Sequence, residues 1–145
     1  MARDAISKIL TSAGKEKTVK KKISVLLEND SVPLRTILRL IYDDDIEFLV
    51  PDTPPPFKEN ELNDLDTLLY REARRLKIFF RGGGYDDLNQ IKRESLFISL
   101  LEDLDADDAK LLANNLISHT PVKGLTRKTV EATYPELFTT PMDMS

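Results

Sequence analysis

Apolar residues return every three to four positions along almost the whole chain, the spacing of a helical face rather than of a strand. Ile6, Ile9, Leu10 and Ala13 form a first short stripe, and Gly14 stands where helices commonly stop. Val19, Ile23, Leu26 and Leu27 form a second, with a lysine run on the opposite face. Ser31 has the chemistry of an N-cap and Pro33 suits the following first turn. Leu34, Ile37, Leu38 and Ile41 line the helix they introduce. Ile46 to Val50 is a β-like stretch too short and isolated to found a sheet. Asp52 through Asn60, with Pro54, Pro55 and Pro56, must be an extended loop.

A longer helix is predicted from about Asp64, burying Leu65, Leu68, Leu69, Ala73, Leu76 and Phe79 or Phe80, and Gly82-Gly83-Gly84 ends it. The next starts near Asp87, with Leu88, Ile91, Ile98 and Leu101 on one face and Phe97 and Leu104 widening it. Asp105 is placed to cap a further helix through Ala109, Leu112, Ala113 and Leu116. Thr126 is placed to cap a short final one that holds Val130 and ends near Pro135. The pattern predicts an all-α protein of about seven helices in a single compact multi-helix bundle over residues 1–138. Residues 139–145 are expected to form a flexible C-terminal tail.

Composition adds limits. With 145 residues, 41% hydrophobic and 32% charged, the chain suits one globular domain with a heavily charged surface. No apolar run approaches the ~18 residues of a membrane span, and the first residues lack the apolar centre of a signal peptide. Cysteine is absent, which removes disulfides, thiolate metal sites and a thiol nucleophile. The net charge of −4 hides strong segregation. Residues 1–28 carry seven basic and three acidic side chains, including Lys15, Lys17, Lys20, Lys21 and Lys22. Residues 42–66 carry nine acids against Lys58 alone. A basic stretch follows over 70–93, then an acidic knot from Glu102 to Asp108, then Lys123, Arg127 and Lys128. Such segregation builds faces of opposite sign, and a local field steers a partner more than net charge does.

Candidate chemistry is sparse. Gly82-Gly83-Gly84 follows a helix and lacks the Gly-Lys-Ser/Thr of a phosphate loop, so a turn is expected. Asp43-Asp44-Asp45 with Glu47 lacks the spaced ligands, central glycine and distal glutamate of a calcium loop. His119 is the only histidine, so neither a triad nor a multi-histidine metal site is available. No catalytic residue, metal ligand or cofactor is predicted.

Two segments carry more. The first is Pro33-Leu34-Arg35-Thr36-Ile37-Leu38-Arg39-Leu40-Ile41-Tyr42, followed by Ile46-Glu47-Phe48-Leu49. The second is Gly124-Leu125-Thr126-Arg127-Lys128-Thr129-Val130-Glu131-Ala132, followed by Tyr134-Pro135-Glu136-Leu137. With the opening helix pair from Ile6 to Leu27, their order and spacing resemble the N-terminal DNA-binding domain of ATP-dependent DNA ligases of the T-even phage type, over about residues 4–138. The chain is also similar to a stand-alone protein family of T-even-like marine phages. The resemblance implies a helical domain that lies against the DNA backbone on the minor-groove side through Lys123 to Lys128. It also implies a phage replication or repair accessory in the cytoplasm of the infected host cell.

Physical reasons support that reading. A glycine allows close backbone approach to a phosphate, and a helix starting at Thr126 would aim free N–H groups at it. Lys123, Arg127 and Lys128 would release counterions from a duplex. The expected contacts are therefore Lys15, Lys17, Lys20, Arg35, Arg39, Lys123, Gly124, Thr126, Arg127 and Lys128. Binding should be largely sequence-independent, since no helix is loaded with base-reading side chains. There are departures. Ligases place an arginine where Val122 stands, and the Lys-x-Asp-Gly nucleophile motif is missing, so ligation or adenylylation by this chain is excluded. The alternative is a protein-interaction module on the same scaffold, a host-protein binder, replisome adaptor or virion component. It would use the acidic loop and the Pro54-Pro55-Pro56 stretch.

Overall fold

A computed structural model describes residues 4–51, 56–60 and 68–141. Within them the chain is all helical, apart from a single antiparallel bridge between Phe48 and Phe80. The elements are α1 (Ile6–Lys15), α2 (Val19–Glu28), α3 (Val32–Tyr42), α4 (Leu68–Glu72), α5 (Gln90–Asp103), α6 (Ala106–Leu111) and α7 (Arg127–Thr133). The turn of α4 tightens into a 3₁₀ segment (Ala73–Phe79), and α6 widens into a π segment (Leu112–Leu116).

Caps fix where most helices begin. Thr18 accepts from the Lys21 N–H, Ser31 from Leu34, Asn89 from Ile91 and Lys92, Asp105 from Asp107, and Thr126 from Thr129. Ala5 precedes α1 and has no side-chain oxygen to offer. The cap comes instead from across the fold, where the fully buried Asp108 of α6 accepts from the Ser7 N–H at 2.9 Å. One carboxylate thus ties the first helix to the sixth.

The core runs through all of these elements. Ile6, Ile9 and Leu10 of α1, Leu34, Ile37, Leu38 and Ile41 of α3, and Leu112 and Leu116 beyond α6 are buried together. Each large aliphatic contributes about 1.5–3 kcal/mol by leaving water. α2 contacts the bundle differently from its sequence pattern: only Leu26 is buried, while Val19 and Leu27 stay exposed. The predicted long helix is present as α4 and the 3₁₀ segment, with Leu69, Ala73, Leu76, Phe79 and Phe80 buried; its expected start, Asp64 to Thr67, lies outside the described residues. The face of α5 is also rotated from expectation. It buries Arg93, Phe97, Leu100 and Leu101 and leaves Ile91 80% exposed. Arg93 explains the rotation. Its guanidinium donates to the carbonyls of Ile78 and Tyr85 and to Gln90 Oε1, closing the glycine turn against the helix start. At the other end, Thr139 and Thr140 hydrogen-bond to the Glu136 carbonyl and Arg39 reaches the Thr140 carbonyl, so this part of the expected tail packs on the bundle.

Candidate nucleic-acid interface

Gly14 does not end α1 as expected; it lies within the last turn, which continues to Lys15. What requires a glycine there is a neighbour. A Cβ on Gly14 would collide with the backbone carbonyl of Lys123, and a Cβ on Gly124 would collide with that of Gly14. Two stretches of backbone 110 residues apart in sequence therefore touch with no side chain between them. Gly124 also takes a left-handed φ of 80°, which favours glycine. The close crossing with Gly14 is itself a reason for the missing side chain at Gly124.

Three further contacts hold the turn. The Tyr42 hydroxyl donates to the Leu125 carbonyl at 2.5 Å and accepts from the Val122 N–H at 3.1 Å. Burial pushes this phenol up to about 12, slightly opposed by the Val122 N–H. Leu125 itself is buried in the core. From α2, the half-buried Lys22 ammonium donates to the Gly124 carbonyl. The Tyr of the Arg-Leu-x-Tyr helix thus fastens the Gly-turn-helix segment: the two sequence signatures are parts of one structural joint.

The joint sets two lysine-bearing segments side by side. Lys15 ends α1, Lys17 lies in the α1–α2 turn, and Lys20 and Lys21 lie in the first turn of α2. Lys123 sits against Gly14, and Lys128 lies in the first turn of α7, which packs on α2. All six are exposed, and among the described residues none is in a salt bridge. Lys20 and Lys21 follow directly from the Thr18 cap, which sets the phase of α2.

The arginines fare differently. Arg35 pairs with Asp30 at 3.3 Å, and Arg39 pairs with the buried Asp43 at 3.2 Å. Arg127 pairs with Glu131 at 2.8 Å, donates to the Tyr42 carbonyl and lies 4.3 Å from the Phe138 ring centroid. Their charges are already used within the fold. Thr126 is likewise engaged, since its hydroxyl accepts from the Thr129 N–H and caps α7, a helix of seven residues. Sequence reasoning missed Lys21 and Lys22 as site residues although both were visible in the lysine run. Lys22 could not be told from its neighbours without knowing which face of α2 meets Gly124.

The other chemically suggestive residues have structural partners. Asp43 Oδ1 accepts from the Asp45 N–H, and Glu47 pairs with Arg81, which holds its carboxyl below the usual range. His119 has a positive φ of 54°, and its two ring nitrogens face the carbonyls of Ile41 at 3.1 Å and Ile46 at 2.7 Å. It clasps the end of α3 to the loop after it. Among the described residues no three carboxylates or histidines gather as a metal site, and no helix is long and apolar enough to cross a membrane.

A family model described as "Family of unknown function (DUF6433)" matches residues 9–118, and the chain belongs to that family. No curated protein and no solved structure matches it. The matched span contains the α1–α2 half of the lysine surface and ends before the Lys123–Gly124 turn.

Proposed function

We propose that this DUF6433 protein is a non-catalytic module that grips double-stranded DNA by its phosphates, largely without regard to sequence. The observation that supports the reading is the joint at Gly14 and Gly124, which sets next to one another two lysine-bearing segments whose exposed lysines form no salt bridge among the described residues. Lysines that neutralise no acid of their own are free to displace counterions from a duplex, and they do so without reading bases. The protein's overall acidity keeps the rest of the surface from competing for the same polyanion. The footprint we propose is Lys15, Lys17, Lys20, Lys21, Lys123 and Lys128; Arg35, Arg39 and Arg127 act as its scaffold. A role as a phage replication or repair accessory in an infected cell's cytoplasm fits such a grip and rests on the resemblance to the ligase domain.

The test is fluorescence anisotropy with intact and nicked duplex over a range of salt. Four to six phosphate contacts give a log–log salt slope of about −4 to −5, and each Lys→Ala change in the footprint should flatten it by about one. Arg35→Ala should leave the slope unchanged. No binding at low salt, or a slope indifferent to Lys15→Ala and Lys123→Ala, refutes the proposal. Retention of a partner from nuclease-treated lysate alongside that failure would turn the reading towards a protein-interaction module.

A further inference from the structure

α3 ends at Tyr42, and a helix leaves its last carbonyls without amide partners of its own. Two of them meet side chains from the last third of the chain. The Tyr42 carbonyl accepts from Arg127 Nη1 at 3.0 Å, and the Ile41 carbonyl lies 3.1 Å from His119 Nδ1. The other nitrogen of that ring, Nε2, lies 2.7 Å from the Ile46 carbonyl in the loop after α3. One imidazole therefore stands between two acceptors. A carbonyl oxygen cannot donate, and a neutral imidazole has one N–H and one bare nitrogen. The neutral ring thus serves one carbonyl and turns a lone pair on the other; only the doubly protonated ring serves both. We infer that His119 is a pH-sensitive clasp: charged, it pins the loop to the end of α3, and on losing a proton it releases one of the two carbonyls.

Contacts that do not depend on its charge hold the ring in place. The His119 N–H donates to the Leu116 carbonyl and the Thr120 N–H to the Asn115 carbonyl, closing the helix end in the turn where His119 takes its φ of 54°. The Asn115 amide donates in turn to the carbonyls of Thr120 and Pro121. On the loop side the Phe48 ring centroid lies 5.5 Å from that of the imidazole. With the ring so fixed, a lost proton is answered by the loop rather than by the side chain.

The charges on the elements that meet the ring suit a cation. On its own segment no charged residue lies between Lys110 and Lys123. α3 presents the negative end of its dipole at Ile41 and Tyr42. The pinned loop carries Asp43, paired with Arg39, and Glu47, paired with Arg81. It also carries Asp44 and Asp45, both exposed and in no salt bridge among the described residues. From α7 comes Arg127, whose guanidinium is shared between Glu131 and the Tyr42 carbonyl. The Tyr42 phenol, pushed up to about 12 by burial, stays neutral throughout the range in which imidazole titrates.

The clasp uses none of the proposed duplex contacts, so the two readings stand or fall separately. His119 is the only histidine, and its ring signals need no assignment. The full chain, labelled with nitrogen-15, is followed by NMR from about pH 5.5 to 8.5, above the range in which carboxylates titrate. At the acid end both ring N–H protons should be visible, shielded from exchange by the two carbonyls. As the ring loses its charge, the amide shifts of Ile46, Glu47, Phe48 and Leu49 should move with the ring's own midpoint. The Ile46 and Leu49 N–H groups donate to the carbonyls of Asp43 and Phe79. Their hydrogen-exchange protection should fall about tenfold over the same range, relative to the buried Leu10 amide of α1. His119→Asn keeps a residue that tolerates left-handed backbone and cannot span both carbonyls. It should show the lower protection at every pH, with no dependence on pH. Amide shifts or protection that stay constant while the ring titrates overturn the inference, and this wild-type titration is decisive whether or not the variant folds. The same pH dependence in His119→Asn also overturns it and assigns the effect to the carboxylates of the loop.

Discussion

Tyr42→Phe removes one oxygen and leaves two backbone groups without their partner. The Val122 N–H donates to that oxygen and the Leu125 carbonyl accepts from it. A buried group left unsatisfied costs about 1–3 kcal/mol, and with Leu125 buried and Val122 half-buried the pair should cost about 2–3 kcal/mol. With a urea m-value of about 2 kcal/mol/M, the denaturation midpoint should fall by about 1 M. Alkali gives an independent check. The phenol is raised to about 12 in the folded protein against about 10 when unfolded. Below pH 10 both states keep the proton and the contribution is complete. Above pH 10 the unfolded tyrosine ionises first and binds fewer protons, so stability falls as pH climbs towards 12. Two units correspond to about 2.7 kcal/mol, so the gap between wild type and Tyr42→Phe should nearly close by pH 12. Urea melts at pH 8, 10, 11 and 12 test this directly. A midpoint change below about 0.2 M at pH 8, or a gap that stays constant with pH, would refute the proposed role of the hydroxyl.

Asp108→Ala removes the cap that α1 borrows from α6, and should cost about 1–3 kcal/mol, with the largest loss of hydrogen-exchange protection at the Ser7 amide. Gly14→Ala places a methyl against the Lys123 carbonyl. It should destabilise by about 2 kcal/mol or more and weaken duplex binding beyond any single lysine change, measured by melts and anisotropy together. Ile91→Thr, at a position that sequence spacing assigns to the core, should change stability by less than about 0.5 kcal/mol, whereas Arg93→Leu should cost several times more in the same assay.

Local chemistry was readable from the sequence; choices between faces were not. Ser31, Asp105 and Thr126 act as the caps their side chains suggest, because a cap is decided within four residues. The apolar face of α2 was misjudged because Val19, Ile23 and Leu26 fit a helical stripe equally well whether the bundle covers all of them or one. Contact with α1 and α7 decides that. Ile91 falls on the wrong face of the hydropathy pattern because no such pattern anticipates an arginine among the buried residues of α5. At the candidate site, the lysines were visible as a run and a cluster, but their meeting depends on two glycines with nothing near them in sequence to announce a close backbone crossing. The partners of the arginines were not legible for a related reason: which acid meets a cation is settled by the fold, as Asp43 meets Arg39 and Glu131 meets Arg127.

The crossing at Gly14 and Gly124 also orders events in time. A chain made from its N-terminus exposes α1, α2 and α3 well before the Lys123 turn has left the ribosome, and the early segments then lack the backbone they are shaped to receive. Closing a loop of more than a hundred residues is a late, entropically slow step. The lysine surface is therefore complete only once that turn is in place, and on the proposed reading a chain shortened before Lys123 keeps Lys15, Lys17, Lys20 and Lys21 and should bind duplex more weakly with a flatter salt slope.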